Sequence, residues 1–142
     1  MSAAPIPPAS PADNPALEMA RSLRPVVAER ALASETQRTL DKEIVEAMWS
    51  SGLMQVQNPQ EAGGQEPSIP QMLEAWEEMA WQDASFGWCG IANLPSAAFA
   101  AAYLPDEGFA EVFTANDNRV TMGGQFAPNG QGQLADGGYR IT

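Results

Sequence analysis

Few residues in this chain could do chemistry. It contains no histidine and a single cysteine, Cys89. The commonest general base and the commonest metal ligand are therefore both missing, and no serine or cysteine has an imidazole partner to activate it. Cys89 lies within Ser85-Phe86-Gly87-Trp88-Cys89-Gly90-Ile91. Among such apolar neighbours a thiol stays protonated and acts as filler. Carboxylates cluster as Glu43/Glu46 and Glu74/Glu77/Glu78, at the spacing of a solvated helix face. Gly123-Gly124 and Gly130-Gln131-Gly132 could cradle a phosphate with backbone N–H groups, although an ordinary hairpin turn uses the same residues. Trp76, Trp81 and Trp88 could line a flat aromatic pocket, and their helical spacing suits a core equally well. By themselves these residues assemble no catalytic site and no metal site.

The elements that would position them are mainly helical. Ser68 to Asn93 holds three of the four tryptophans and the cysteine. Ile69, Met72, Leu73, Trp76, Met79 and Ala80 recur on one helical face, with Glu74, Glu77 and Glu78 on the other. Ser68 and Gln71 make a capping-box pattern, and Pro70 falls in the first turn. From Ala84 the pattern has no polar side. Phe86, Trp88, Cys89, Ile91, Ala92 and Leu94 point in every direction, which predicts a helix enclosed by protein, with Trp76 and Trp88 largely buried. It should run through Pro95, kinked or broken, towards Tyr103.

Before this stretch, residues 1–12 are rich in Ala, Pro and Ser and read as a disordered arm. Asp13 or Asn14 then caps a helix whose stripe is Leu17, Ala20, Val27 and Ala31, and Pro25 should kink or split it. Asp41 caps a second helix burying Ile44, Ala47 and Met48, and Gly52 stops it with Leu53 folding back. Asn58 to Gly64 is a loop. After Tyr103, a helix from Glu107 to about Thr114 buries Phe109, Val112 and Phe113. The texture then changes to strands: Arg119–Phe126, a glycine-rich turn over Pro128–Gly132, and Gly138–Thr142.

The length suits one domain with a real core, and 44% hydrophobic content fits a globular protein. A formal charge of −11 argues against nucleic acid and against anionic membrane surfaces. No apolar run approaches a membrane span, and no basic-then-apolar leader is present. With one cysteine there is no internal disulfide, and the reading places the protein in the cytoplasm.

The order of these signals resembles the acyl-CoA dehydrogenase superfamily of flavoenzymes over residues 16–142. The matching pieces are Gly52-Leu53, Pro59 through Gly63-Gly64, Glu77-Glu78-Met79-Ala80 into Asp83-Ala84-Ser85, and Gly137-Gly138-Tyr139-Arg140-Ile141. Two branches are in question. Typical dehydrogenases carry a Thr-Glu-Pro turn whose threonine reaches the flavin, and here the turn reads Gln125-Phe126-Ala127-Pro128. Phe126 in the threonine's place puts that contact in doubt. Ser85-Phe86-Gly87-Trp88, Pro128-x-Gly130 and Asp136-Gly137-Gly138-Tyr139 look more like the flavin-dependent monooxygenase branch.

The resemblance implies a mainly α fold: a helical N-terminal domain over 13–117, then the first strands of a β-barrel-like domain over 118–142. The expected function is that of the N-terminal part of a flavin-dependent oxidoreductase, hydroxylating or dehydrogenating a small organic or acyl substrate. This stretch alone is expected to be inactive, because the family's catalytic base lies further on. The implied cofactor is FAD or FMN, with Gln125, Phe126, Gly130 and Gln131 along it. Ser85 and Trp88 would face a small-molecule substrate. Implied partners are a flavin reductase and, at full length, further copies of the chain. A stand-alone acidic helical interaction module is the alternative from a different class.

Overall fold

Prolines and caps cut the N-terminal pattern into separate helices. In the computed structural model, which describes residues 14–124, 127 and 129–142, α1 is Pro15–Ser22 and α2 is Arg24–Gln37. The expected arm at 1–12 and the expected flavin residues Gln125 and Phe126 lie outside the described residues. Asn14 caps α1 by accepting a hydrogen bond from the Leu17 N–H at 3.1 Å. Pro25 splits the pattern at Leu23, because proline has no N–H to continue a ladder and suits the first turn of a new helix. Of the predicted stripe, Leu17, Ala20 and Val27 are buried and Ala31 is half-buried.

Asp41 caps α3, Lys42–Ser51, through the Glu43 N–H. Gly52 ends it with φ +83°, a left-handed stop that glycine adopts without strain, and Leu53 behind it is fully buried. Two short 3-10 turns, Leu53–Gln55 and Gln60–Ala62, lead to α4, Ile69–Gln82. The Ser68 N–H donates to the Gln71 carboxamide oxygen at 2.9 Å, the return half of a capping box. Helix α5, Ala84–Tyr103, follows almost without a linker, with Asp83 accepting from the Phe86 N–H at 2.9 Å. Pro95 lies inside α5, which continues through it unbroken. Helix α6 is Asp106–Val112, followed by a 3-10 turn at Thr114–Asn116.

The main core joins α1, α2, α3, α4 and the first half of α5 around Val27, Ile44, Met48, Leu53, Met72, Met79, Phe86 and Leu94. A smaller cluster gathers Ala62, Ala101 and Phe113, with Val120 and Met122 against it. No described helix is long and apolar enough to cross a membrane.

Three expectations need correction. First, residues 119–124 form no strand. The hairpin pairs β1, Gly132–Ala135, with β2, Gly138–Ile141, in the register Leu134 opposite Tyr139. Its turn is Asp136-Gly137, with Gly137 at φ +78°, so the Asp-Gly hairpin signal outranks the glycine-rich run expected to turn at Pro128–Gly132. Residues 119–122 are instead tied to the helices. Arg119 pairs with Glu46 at 3.0 Å and lies over the Trp49 ring, and Gln55 donates to the Asn118 carbonyl at 2.8 Å.

Second, the inward face of α4 is rotated from its expected position. Met72, Ala75, Glu78 and Met79 are buried, whereas Ile69, Leu73 and Ala80 are exposed. The cause is α1 and the start of α2 on that side. Asn14 donates to Glu74 and to the Gln71 carbonyl, and Arg24 reaches Glu78.

Third, α5 is not enclosed. Phe86, Gly87, Gly90, Leu94, Ala97 and Ala101 form one buried face at steps of one, three and four residues. Trp88, at 71% exposure, lies on the open side together with Ile91, Phe99 and Tyr103. Small residues supply much of the buried face, so α5 packs closely on one side and leaves its large side chains on the other. Of the two tryptophans expected to be largely buried, Trp76 is half-buried and Trp88 is exposed.

Candidate functional site

Asp83 starts α5 immediately behind α4, and that cap fixes where Ser85 and Trp88 emerge. A would-be Cβ on Gly87 falls 2.6 Å from the Ala80 Cα, so the two helices touch backbone to backbone there. This close approach turns the adjacent Trp88 away from the core. Ser85 and Trp88 then line one groove of about 550 Å³ with Ala84 and Cys89 on α5. Its other wall comes from the end of α2 and the loop after it, at Ser34, Glu35, Arg38, Thr39 and Leu40. The Ser34 hydroxyl accepts from the Asp41 N–H at 2.9 Å and so secures that wall to the α3 cap.

The three tryptophans do not share a pocket. Trp81, 74% exposed, borders a different groove with Leu17, Arg21, Arg24, Glu74, Glu77 and Glu78. Sequence reasoning missed the centre of that second groove. Glu78, placed on the wet face by periodicity, is 9% exposed. Arg24 donates to both of its oxygens at 2.7 Å, Gln82 donates to it at 2.8 Å, and Arg21 is 3.9 Å away. The Arg24 hydrogen bonds hold the Glu78 carboxyl below the ordinary carboxylate range despite the opposing effect of burial. Hydrogen bonding to Glu78 raises the Arg24 guanidinium in turn, and its carbon lies 5.1 Å from the Trp81 ring centroid. Each charge is paired, so this cluster fastens α1 and α2 to α4 and leaves no group free for proton transfer. Periodicity carries no signal for it, because the partner is 54 residues distant.

Burial pushes the Cys89 thiol up, with Asp83 adding a smaller push in the same direction. A protonated thiol suits the expected inert role. Among the described residues no group of His, Cys, Asp and Glu could hold a metal.

Of the four residues expected along a flavin, Gln125 and Phe126 fall outside the described residues. Gly130 and Gln131 are exposed at the mouth of the hairpin, where Gln131 exchanges backbone hydrogen bonds with Thr142 at 2.8 and 3.0 Å. Neither lines the Ser85–Trp88 groove. The segment leading to position 125 does approach α5, since a Cβ on Gly124 would sit 2.8 Å from the Ser96 hydroxyl. Ser96 itself donates to the Ala92 carbonyl. The open side of α5 from Trp88 to Phe99 extends about 16 Å at helical rise.

The sequence model described as acyl-CoA dehydrogenase, N-terminal domain, matches residues 16–105. Among characterised relatives, the chain is 27% identical over 125 residues to the flavin-dependent monooxygenase, oxygenase subunit HsaA, of Rhodococcus jostii (strain RHA1), covering 85% of this chain and 31% of that protein. It is 29% identical over 133 residues to the indole-3-acetate monooxygenase of Pseudomonas putida, covering 92% and 33%. It is 31% identical over 113 residues to the oxygenase component of an FADH(2)-dependent resorcinol hydroxylase of Rhizobium sp. (strain MTP-10005), covering 79% and 27%. The crystal structure of 3-HSA hydroxylase from Rhodococcus sp. RHA1 superposes with a TM-score of 0.71 at 22% identity, over 91% of this chain and 33% of that one. The chain thus spans about a third of the length of the relatives it matches. It belongs to the acyl-CoA dehydrogenase family, over that family's N-terminal domain.

Proposed function

From that membership we infer that the chain supplies the N-terminal helical wall of a flavin-dependent monooxygenase of the oxygenase-component type. Residues 13–117 are the helical domain in this reading, and 118–142 open the β-domain. The observation that carries it is the exposure of Trp88 and Ser85 on one groove of α5, in a chain whose characterised relatives are named as flavin monooxygenases and hydroxylases.

Bound in reduced form, FAD or FMN supplies the two electrons with which dioxygen gives one oxygen atom to the substrate and the other to water. The chain's own residues bind and orient. Trp88 offers a flat apolar face on which an aromatic substrate stacks. Ser85 offers a hydroxyl at the same groove, able to donate to a substrate oxygen. Ile91 and Phe99 continue the exposed apolar face, and a ring laid along it would displace water from them. Gln125, Phe126, Gly130 and Gln131 are proposed to lie along the flavin. A flavin reductase is the proposed partner, in keeping with the term "oxygenase subunit" in a relative's name. Self-association and a cytoplasmic location belong to the same proposal.

The test is fluorine NMR of fluorotryptophan-labelled protein titrated anaerobically with reduced FAD or FMN and a phenol. The Trp88 resonance, assigned by its loss in Trp88→Phe, is expected to move while that of Trp81 does not. A Trp88 resonance unmoved by either flavin and by the phenol would overturn this assignment.

A further inference from the structure

Resting on the reading of the Ser85–Trp88 groove as the substrate side, we propose that Arg38 selects an aromatic substrate carrying an anionic group, by holding that group at the rim while the ring lies on Trp88. Arg38 and Trp88 line the same groove from opposite walls. Arg21, Arg24, Arg30 and Arg119 each make an ion pair, whereas Arg38, like Arg140 on the hairpin, makes none among the described residues, and of these two only Arg38 lines the groove. A guanidinium without an ion-pair partner, lining the same groove as an exposed indole, suits a planar ligand ending in a carboxylate.

The backbone sets how Arg38 is presented. Arg38 is the C-cap of α2 at φ +56°, the left-handed region. Its N–H bonds back to Glu35 and Ser34 as in a normal helix stop. Glycine takes that conformation without strain, and so does Gly52 at the end of α3. Glu66, Asp117 and Asn118 take the same left-handed region, so the conformation assigns no role by itself; what it fixes is where the Arg38 side chain leaves the helix. The left-handed turn also takes Arg38 off the helical path. Glu35, three residues earlier and in the same groove, therefore does not pair with it. Glu35 moderates the attraction for an anion without consuming the guanidinium. The competing explanation is that Arg38 only complements the negative end of the α2 dipole, and that role would show no preference among ligands.

The experiment is calorimetric titration of the protein with naphthoate and with naphthamide, which match in ring and size and differ in charge. Wild type is expected to bind naphthoate about tenfold more tightly than naphthamide, the lower range for one charge-assisted pair at a wet rim. Arg38→Gln should bring the ratio to about one and leave naphthamide affinity unchanged. Arg38→Lys should retain part of the ratio. Arg38→Gly, which suits the backbone and keeps the helix stop, should abolish it in a folded protein. Trp88→Ala should weaken both ligands together. Equal affinity for the two ligands in wild type, or a ratio unaffected in Arg38→Gln, would overturn the inference. If Trp88→Ala still weakened both in that case, the groove would stand as the aromatic site and only the role of Arg38 would fall. Binding of neither ligand would overturn both.

Discussion

Replacing Gly87 with alanine tests the close approach that sets Trp88 on the open side of α5. The added Cβ would lie 2.6, 2.7 and 2.8 Å from the Ala80 Cα, Cβ and N. Carbon atoms rest at about 3.5–4.0 Å, so α4 and α5 must part by about 1 Å. Two of those three neighbours are backbone and cannot rotate aside. Overpacking of this kind costs about 1–3 kcal/mol. Immovable backbone neighbours place this site in the upper part of that range, about 2–3 kcal/mol, and alanine's better helix propensity returns up to about 1 kcal/mol, leaving a net loss of about 1–2 kcal/mol. Gly90, one turn on, is the control. A Cβ there meets the terminal Cε and Sδ of Met79, the far end of a flexible chain. Its cost should be about 0–1 kcal/mol. Urea denaturation reads both, with the midpoint falling for Gly87→Ala at an unchanged slope. A Gly87→Ala protein as stable as wild type, or a Gly90→Ala protein less stable than Gly87→Ala, would refute the packing argument.

Because Glu78 has its carboxyl held low by Arg24, it contributes stability above the ordinary carboxylate pKa of about 4.3, and that contribution is lost as pH falls through the lower folded value. Glu78→Gln should therefore flatten the acid limb of a stability–pH curve, and an unchanged limb would count against the pairing. Trp88→Phe should alter stability by no more than about 0.5 kcal/mol, since the ring is 71% exposed. In a melting experiment a larger drop would return Trp88 to the core. With its thiol pushed up by burial, Cys89 should alkylate more slowly with iodoacetamide at mildly alkaline pH than free cysteine does, as followed by mass spectrometry. A rate equal to that of free cysteine would remove the inert reading.

Local rules reached much of this fold. The Asn14 and Asp41 caps, the Gly52 stop, the Pro25 split and the Asp83 start are short-range chemistry, and residues next to one another state it. The errors arose where tertiary neighbours decide. Periodicity placed Glu78 in water because it cannot see Arg24 approaching from another helix. An all-apolar sequence from Ala84 implied enclosure, yet glycine and alanine make up much of the buried face and the large side chains stay outside. The strand expected at Arg119 gave way to an Asp-Gly hairpin further on, while Val120 and Met122 packed against the smaller helical cluster. At the candidate site, Ser85 and Trp88 came from the family resemblance and do share a groove. Arg38 was passed over, because a left-handed arginine at a helix end leaves no mark in hydrophobic periodicity.

The central claim is that this helical domain serves a monooxygenase using reduced flavin. Its most direct measurement is oxygen incorporation by the protein as its gene encodes it. The protein is supplied with reduced FAD or FMN from a flavin reductase, isotopically heavy dioxygen and a panel of phenols and aromatic carboxylates, and the products are weighed by mass spectrometry. The account predicts a product carrying a single heavy oxygen atom, with yield sharply reduced in Trp88→Ala. Flavin oxidation with no labelled product from any member of the panel, alongside desaturation of an acyl thioester by the same protein, would contradict it.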